Sequence, residues 1–351
     1  MKIQAIYLNH VGPIKNHKFD FYDDWSEKII SHVLFSGPNG SGKSIILKTI
    51  AELWQATGYW LDNRERLPSN GTSNRKWLQQ WGGIAVILTD LPEVSTPVGL
   101  VFGDRAWFNQ IKSDYSDIQW IGEVIQTKSK GATPHNLFLP PKLLNSWSQA
   151  RNKLLLTFEA ANTPNVIYLD AEECRWVSPK RRLGKILPEN SSSRWLVKYQ
   201  VTEDWQGQLE ASIVNLKLAQ KDDKYKSVIF NLNRFLSEKQ IDLDIKLGEN
   251  RLQVITKGKP SYSYTIDELS TGERQVLIKL YLVSRWLEPG GIVMIDEPDL
   301  YLHPSLVSSF LAKLESLVEE QKGQLLITSH LPSVWSRYEA QGKRIQLGGT
   351  S

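Results

Sequence analysis

The run "IVMIDEP", Ile292 to Pro298, ends an apolar stretch in two adjacent acids, Asp296 and Glu297. A buried strand that closes on two carboxylates is unfavourable unless they meet a cation or a polarised water. Asp296 is therefore expected to hold magnesium through water, and Glu297 to orient or deprotonate an attacking water. A polar turn after a strand would explain one acid, and explains two poorly. The group these acids would act on is implied far upstream. "GPNGSGKS", Gly37 to Ser44, fits G-x-x-x-x-G-K-[ST] at every fixed position. Phosphate oxygens need converging backbone amides, and glycines at 37, 40 and 42 leave that approach open, with Pro38, Asn39 and Ser41 completing the loop. Lys43 would reach the β- and γ-phosphates and Ser44 would bind magnesium. The helix that starts there adds the partial positive charge of its N-terminus.

Two further stretches carry candidate chemistry. "LLITSH" places His330 at the tip of another apolar run, one helix after Asp296. A lone histidine is more often structural than catalytic. At the edge where a parallel sheet binds its ligand, contact with the γ-phosphate becomes the stronger reading. "DELSTGERQ" starts a helix with Ser270, Thr271, Gly272 and Glu273. Ser270 or Thr271 suits a plain N-cap. Free amides, a small hydroxyl and no bulk also suit a phosphate. The glycine-rich loop already covers one side of a nucleotide, so a second anion site points to another subunit closing over it.

Strands must end, and helices must begin, where these residues stand. The loop follows a strand, "SHVLFSG", and precedes a helix, "SIILKTIAELW", with Ile46, Ile50, Leu53 and Trp54 on one face. "KIQAIYLNHVG" and "HKFDFYD" read as strands before it. From Thr57 to about Lys76 the chain is polar and turn-rich, an expected exposed loop. "GGIAVILTDLPEVSTPVGLVFG" and "IQWIGEVIQTKSKG" read as antiparallel strands joined by short turns. A helix after "PP", a strand in "NVIYLDAEECRW", helical spacing from "EASIVNLKL" to "NRFLSEKQ" and a hairpin up to "SYSYTID" follow. The C-terminal part alternates: a helix over 273–287, "IVMID", a helix with Pro304 in its first turn and Gly323 at its C-terminal cap, "QLLITSH" and "KRIQLG". Alternation of this kind predicts an α/β fold with a mostly parallel central sheet, an antiparallel β subdomain and an α/β insertion. The expected segments are 1–56 with the glycine loop, 57–130 antiparallel, 131–261 inserted, and 262–351 with the remaining motifs.

Composition narrows the class. The 351 residues are 41% hydrophobic and 23% charged, which supports a sizeable core and excludes wholesale disorder. One cysteine, Cys174, excludes an intramolecular disulfide and fits a reducing compartment. "MKIQAIYLNHVG" lacks the apolar core of a signal peptide, and no window of about 18 residues is uninterruptedly apolar. A cytoplasmic chain without a membrane partner is expected. A net charge of +4 permits nucleic acid without demanding it. Thirteen tryptophans, most of them between Trp54 and Trp205, are read as anchors in a core or an interface before base-stacking platforms. "SPKRRLGK", with Lys180, Arg181, Arg182 and Lys185, is read as a solvated loop before a track for a phosphate backbone.

Taken in order, "GPNGSGKS", "LSTGERQ", "IVMIDEP" and "ITSH" resemble the P-loop, signature, carboxylate strand and switch histidine of an ATP-binding-cassette ATPase. "NHVGPIKNHKFDF" and "DEPDLYLHP" are similar to the soluble RecF/SMC/OLD-like branch of bacterial defence or DNA-repair type. The resemblance covers residues 1–54 and about 262–347, and hardly touches the middle. Thr271 departs from a usual glycine and Glu273 from a usual glutamine. Gln79, Gln110 and Gln126 all compete for the Q-loop position, and no aromatic stands out for stacking adenine.

The resemblance implies ATP and Mg2+, and a head-to-tail homodimer or dimer-based oligomer. Ser270, Thr271, Gly272 and Glu273 would complete in trans the site that holds the partner's Lys43. ATP would hold this clamp closed and hydrolysis by Glu297 would release it. The implied role is the ATPase subunit of a bacterial anti-phage defence or DNA-repair system, acting on DNA or controlling a separate nuclease or toxin effector. The alternative is an ATP-gated scaffold with little hydrolysis. A transporter energy subunit fits less well, because the insert is too large and His303 replaces the aspartate expected at the end of its loop.

Overall fold

The computed structural model describes residues 1–68, 73–92, 94–115, 117–126, 135–156, 162–174, 176, 194–199, 209–218, 221–236, 238–245, 251–258 and 261–348. "SPKRRLGK", with Lys180, Arg181, Arg182 and Lys185, lies outside them.

The chain opens with β1 (Lys2–Val11), which turns at Gly12 and returns antiparallel as β2 (Ile14–Asp20). A short hairpin of β3 (Tyr22–Asp23) and β4 (Lys28–Ile29) leads to β5 (His32–Ser36), buried at every residue. After the glycine loop comes α1 (Lys43–Asn63). The exposed loop expected from Thr57 onward is thus helical as far as Asn63. Trp60 and Leu61 extend the buried stripe, and the Thr57 hydroxyl turns back onto the Leu53 carbonyl at 2.9 Å. A second helix, α2 (Ser73–Gln79), occupies part of the same stretch.

β6 (Gly83–Thr89) and β7 (Val98–Asp104) pair antiparallel, as expected. β8 (Gln119–Ile125) does not: it runs parallel to β7. The reason is α3 (Arg105–Asp114), which carries the chain back across the sheet. Asp104 starts that helix by accepting hydrogen bonds from the amides of Ala106 at 2.8 Å and Trp107 at 3.1 Å. β9 (His135–Phe138) completes a six-stranded sheet ordered β2-β1-β6-β7-β8-β9. α4 (Pro141–Leu156) then leads to β10 (Val166–Leu169) and β11 (Leu196–Lys198).

α5 (Leu209–Leu218) and α6 (Asp222–Asn233) precede a small antiparallel sheet of β12 (Lys239–Ile241), β13 (Gln253–Thr256) and β14 (Ser263–Thr265). The C-terminal part alternates as its pattern predicts: α7 (Thr271–Trp286), β15 (Ile292–Ile295), α8 (Pro304–Glu320), β16 (Gln324–Thr328), α9 (Pro332–Gln341) and β17 (Lys343–Gln346). Pro304 occupies the first turn of α8 as expected, but the left-handed residue beyond that helix is Lys322, at φ 53°, and not Gly323. Gly323 is required for a close approach instead, since a Cβ there would lie 2.5 Å from the Gly291 carbonyl oxygen.

The second large sheet, β11-β10-β15-β16-β5-β17, is parallel throughout. The fold is therefore α/β, with a parallel central sheet beside a mostly antiparallel one. Both faces of the parallel sheet are covered, which is why its strands are continuous apolar runs. Val33, Phe35, Met294 and Leu326 face one core with α1, β1 and β6. Leu34, Val293, Ile295, Leu325 and Ile327 face another with α7 and α8. β10 and β11, from the expected 131–261 insertion, pair into the sheet that holds β15.

Trp54, Trp60, Trp147 and Trp195 are core anchors, whereas Trp25 is exposed. Trp54 of α1 stacks on Trp195 with centroids 4.1 Å apart and planes 9° from parallel. Each indole donates to the other residue's carbonyl, at 2.8 and 3.0 Å. Among the described residues, no helix is long and apolar enough to cross a membrane.

Candidate nucleotide site

β5 delivers the chain to the C-terminal edge of the parallel sheet, and α1 leaves from the same place. Between them Gly37, Gly40 and Gly42 take φ of 147°, 77° and 101°. Gly42 is the N-cap of α1, left-handed and with no side-chain cap. The first amides of α1 thus remain available to an anion. The loop is held on two sides. A Cβ on Gly37 would stand 2.5 Å from the Leu347 carbonyl oxygen beyond β17, and one on Gly42 would stand 3.1 Å from Pro13 and Ile14. Lys43 is almost wholly buried and donates to the carbonyls of Gly37 and Pro38, both at 3.1 Å. Burial pushes its pKa down, and the Glu297 and Asp296 carboxylates work against that shift. The Ser41 hydroxyl is buried without a partner.

The acids approach from β15. Asp296 is 5% exposed, and its Oδ1 accepts from Ser44 Oγ at 3.0 Å and from Thr328 Oγ1 at 2.6 Å. Thr328 also accepts from the Glu297 amide at 2.8 Å. Burial raises the Asp296 pKa, while the bonds from Thr328 and Ser44 oppose that rise. Glu297 sits at φ 46°, a left-handed position, and its Oε1 lies 3.2 Å from His330 Nε2. Ser44 and Asp296 together present hard oxygens, the ligand type magnesium takes. The left-handed glycines, the orphaned Ser41 hydroxyl and this oxygen pair fit a nucleotide phosphate with its magnesium.

Residues far apart in sequence, Lys43, Ser44, Asp296, Glu297 and His330, thus meet at one sheet edge. Among the described residues, the Ser270–Glu273 helix start makes no hydrogen bond or ion pair with them. Ser270 caps α7 by accepting from the Glu273 amide at 3.2 Å, and Glu273 Oε2 accepts from the Ser270 amide at 2.8 Å. This is a complete capping box. Lys239 Nζ reaches both oxygens of Glu273, at 2.9 and 3.0 Å. Burial works against the Glu273 charge, but Lys239 and the Ser270 amide hold its pKa below the usual range. Gly272 abuts the turn after β15, where a Cβ would lie 3.1 Å from the Tyr301 carbonyl oxygen. Among the described residues no hydrogen bond or ion pair joins Ser270, Thr271, Gly272 or Glu273 to the Gly37–Ser44 loop. Within one chain, the plain helix cap is realised.

Two residues at the site carry no assignment from the motifs. Thr328, within "LLITSH", joins the Asp296 carboxylate to the Glu297 backbone amide. Asp170 follows β10, whose Leu169 carbonyl accepts from the Asp296 amide at 2.9 Å, so the two aspartates end neighbouring strands. Tyr168 donates to Asp170 Oδ2 at 3.0 Å. The available signal was "VIYLDAEE", an apolar run closing on an acid much as "IVMIDE" does. The three glutamines considered for the Q-loop lie elsewhere: Gln79 ends α2, Gln110 is on α3, and Gln126 follows β8 and accepts from Arg105 at 3.2 Å. None belongs to an element of the parallel sheet.

A family model described as "AAA domain, putative AbiEii toxin, Type IV TA system" matches residues 34–336. An uncharacterised protein of Methanocaldococcus jannaschii, MJECL43, is 32% identical over 110 residues, which cover 30% of this chain and 27% of that protein. The Retron Ec83 probable ATPase of Escherichia coli is 27% identical over 175 residues, covering 45% of this chain and 30% of that protein. The chain thus spans less than a third of the length of these curated relatives. The SMC head domain from Thermotoga maritima is a structural neighbour at a TM-score of 0.42 and 14% identity, over 99% of this chain and 94% of that one.

Proposed function

The chain belongs to the AAA-domain family described as a putative AbiEii toxin of a type IV toxin–antitoxin system, and from that premise we propose that it binds and hydrolyses ATP with Mg2+ as a switch in an anti-phage defence system. One observation carries the reading: Asp296, buried and held by Ser44 and Thr328, brings Glu297 and His330 to the mouth of the loop that holds Lys43.

In this reading the amides from Gly37 to Ser44 bind the phosphates. The Lys43 ammonium exchanges the carbonyls of Gly37 and Pro38 for β- and γ-phosphate oxygens. Ser44 and Asp296 hold the metal, which when bound neutralises charge on the phosphates. Glu297 orients the attacking water and accepts its proton, and His330 fixes the Glu297 carboxylate and faces the γ-phosphate.

Two chains close head to tail, and Ser270, Thr271, Gly272 and Glu273 of one offer the start of α7 to the γ-phosphate held by the other. Closure and release then report the nucleotide state to a separate effector, a nuclease or a toxin. The family description and the retron ATPase support the defence setting, with DNA a further candidate partner.

The test is ATP turnover and nucleotide binding by the unaltered chain, Lys43→Ala and Glu297→Gln. The unaltered chain should turn over. Lys43→Ala should lose nucleotide binding, and Glu297→Gln should bind ATP yet hydrolyse it at least ~100-fold more slowly. Stable ATP-bound assembly without turnover by the unaltered chain would leave the scaffold reading in its place.

A further inference from the structure

Lys279 lies in α7, about two and a half turns beyond Ser270. It is 2% exposed. Its ammonium donates to Gln275 Oε1 at 3.2 Å and to the Pro298 carbonyl at 3.3 Å, and it forms no ion pair among the described residues. A buried ammonium without a paired carboxylate is costly, and methionine would fill the same space without that cost. Packing alone therefore does not account for a lysine here.

The groups that face it belong to the turns leaving β15 and β10. Pro298 directly follows Glu297. One oxygen of the Asp299 carboxylate is buried without a partner. Cys174, itself buried, ends the turn that begins at Asp170, to whose carbonyl its amide donates at 3.1 Å. Burial pushes the Lys279 pKa down, while Cys174 and Asp299 work to hold the charge in place. The turn in front of Lys279 is also unusual in its backbone. Glu297 and Tyr301 both adopt left-handed φ, 46° and 66°, which non-glycine residues keep only where their surroundings impose it. The same turn touches the start of α7 through the Tyr301 carbonyl behind Gly272.

We infer that Lys279 is a positioning residue that ties α7 to the Glu297–Tyr301 turn, so that the helix start at Ser270 and the carboxylate of Glu297 shift as one body. The inference rests on the proposed ATP hydrolysis for its functional consequence, since it links capture of a partner's phosphate to placement of the hydrolytic carboxylate. A Glu297 held loosely still lets the Gly37–Ser44 loop bind nucleotide, but it no longer aims the water.

Lys279→Met keeps the volume and removes the ammonium, and Lys279→Gln keeps a donor. Three measurements decide. Thermal melting of Lys279→Met should match or exceed that of the unaltered chain. Amide hydrogen exchange across 297–303, without nucleotide, should quicken about tenfold or more, and less in Lys279→Gln. ATP turnover should fall roughly ten- to a hundred-fold in kcat, with nucleotide affinity within about twofold. A Lys279→Met chain with unchanged exchange over 297–303 and kcat within about twofold of the unaltered chain would overturn the inference. If the unaltered chain does not hydrolyse ATP, the proposed function fails by itself, and the exchange comparison alone decides the tie between helix and turn.

Discussion

Thr328→Val removes one hydroxyl from the centre of the site and leaves its shape almost unchanged. That hydroxyl donates to Asp296 Oδ1 at 2.6 Å and accepts from the Glu297 amide at 2.8 Å. Its loss takes from Asp296 the shorter of two hydrogen bonds, leaving Ser44 at 3.0 Å, and leaves the Glu297 amide without its acceptor. A lost bond to a charged group costs about 1.5–3 kcal/mol and an orphaned amide about 1–3 kcal/mol. Glu297 is only half-buried, so water recovers part of the second loss, and a total of about 3 kcal/mol is expected. The sign of the pH dependence follows from Asp296. Burial raises its folded pKa above the unfolded value. The folded chain therefore takes up a proton, as pH falls, before the unfolded chain does, and gains stability in that window. Thr328→Val raises the folded pKa further, so its deficit should shrink on acidification. The assay is urea unfolding in magnesium-free buffer at neutral and mildly acidic pH, with Thr328→Ser as the variant that keeps the hydroxyl. A deficit below about 1 kcal/mol, or one that grows as pH falls, would show that the Thr328 hydroxyl does not hold Asp296 and the Glu297 amide in this way.

Two other substitutions probe separate parts of the molecule. Trp195→Ala should lower unfolding stability by about 4 kcal/mol, because a ring that is 3% exposed and stacked at 4.1 Å on Trp54 is lost with its hydrogen bond to the Trp54 carbonyl; a loss under about 1 kcal/mol in urea unfolding would show that the joint between α1 and β11 is not structural. His330→Ala frees the Glu297 carboxylate held at 3.2 Å, and should slow ATP turnover about ten- to a hundred-fold with nucleotide affinity little changed. Unchanged turnover would remove His330 from the hydrolytic set.

What the sequence made legible was local. The glycine loop needs only its own spacing and flanking pattern, and Asp296 and Glu297 announce themselves by closing an apolar run. What it concealed depends on which strand lies beside which. Asp170 becomes a site residue only because β10 pairs with β15, a neighbour distant in the chain. Thr328 reads as an ordinary β-branched strand residue until its hydroxyl is seen between the Asp296 carboxylate and the Glu297 amide. The direction of β8 turned on recognising "DRAWFNQIK" as a capped helix with Trp107, Phe108 and Ile111 inward, and α1 outran its expected end because two buried side chains outweighed a polar surface. Nothing in the spacing of α7 singles out Lys279, and only the packing of that helix against Pro298 shows it inside. The start of α7 was open to two readings from its residues, and the single chain realises the capping box without excluding a partner's phosphate.

In the proposed mechanism two chains close over ATP, with Ser270 acting in trans. Sedimentation of Glu297→Gln with and without Mg-ATP tests it most directly, beside the double variant Ser270→Arg/Glu297→Gln. Glu297→Gln should dimerise only with Mg-ATP, and the double variant should bind ATP and stay monomeric. A Glu297→Gln chain that binds Mg-ATP and remains a monomer, or a double variant that dimerises normally, would contradict it.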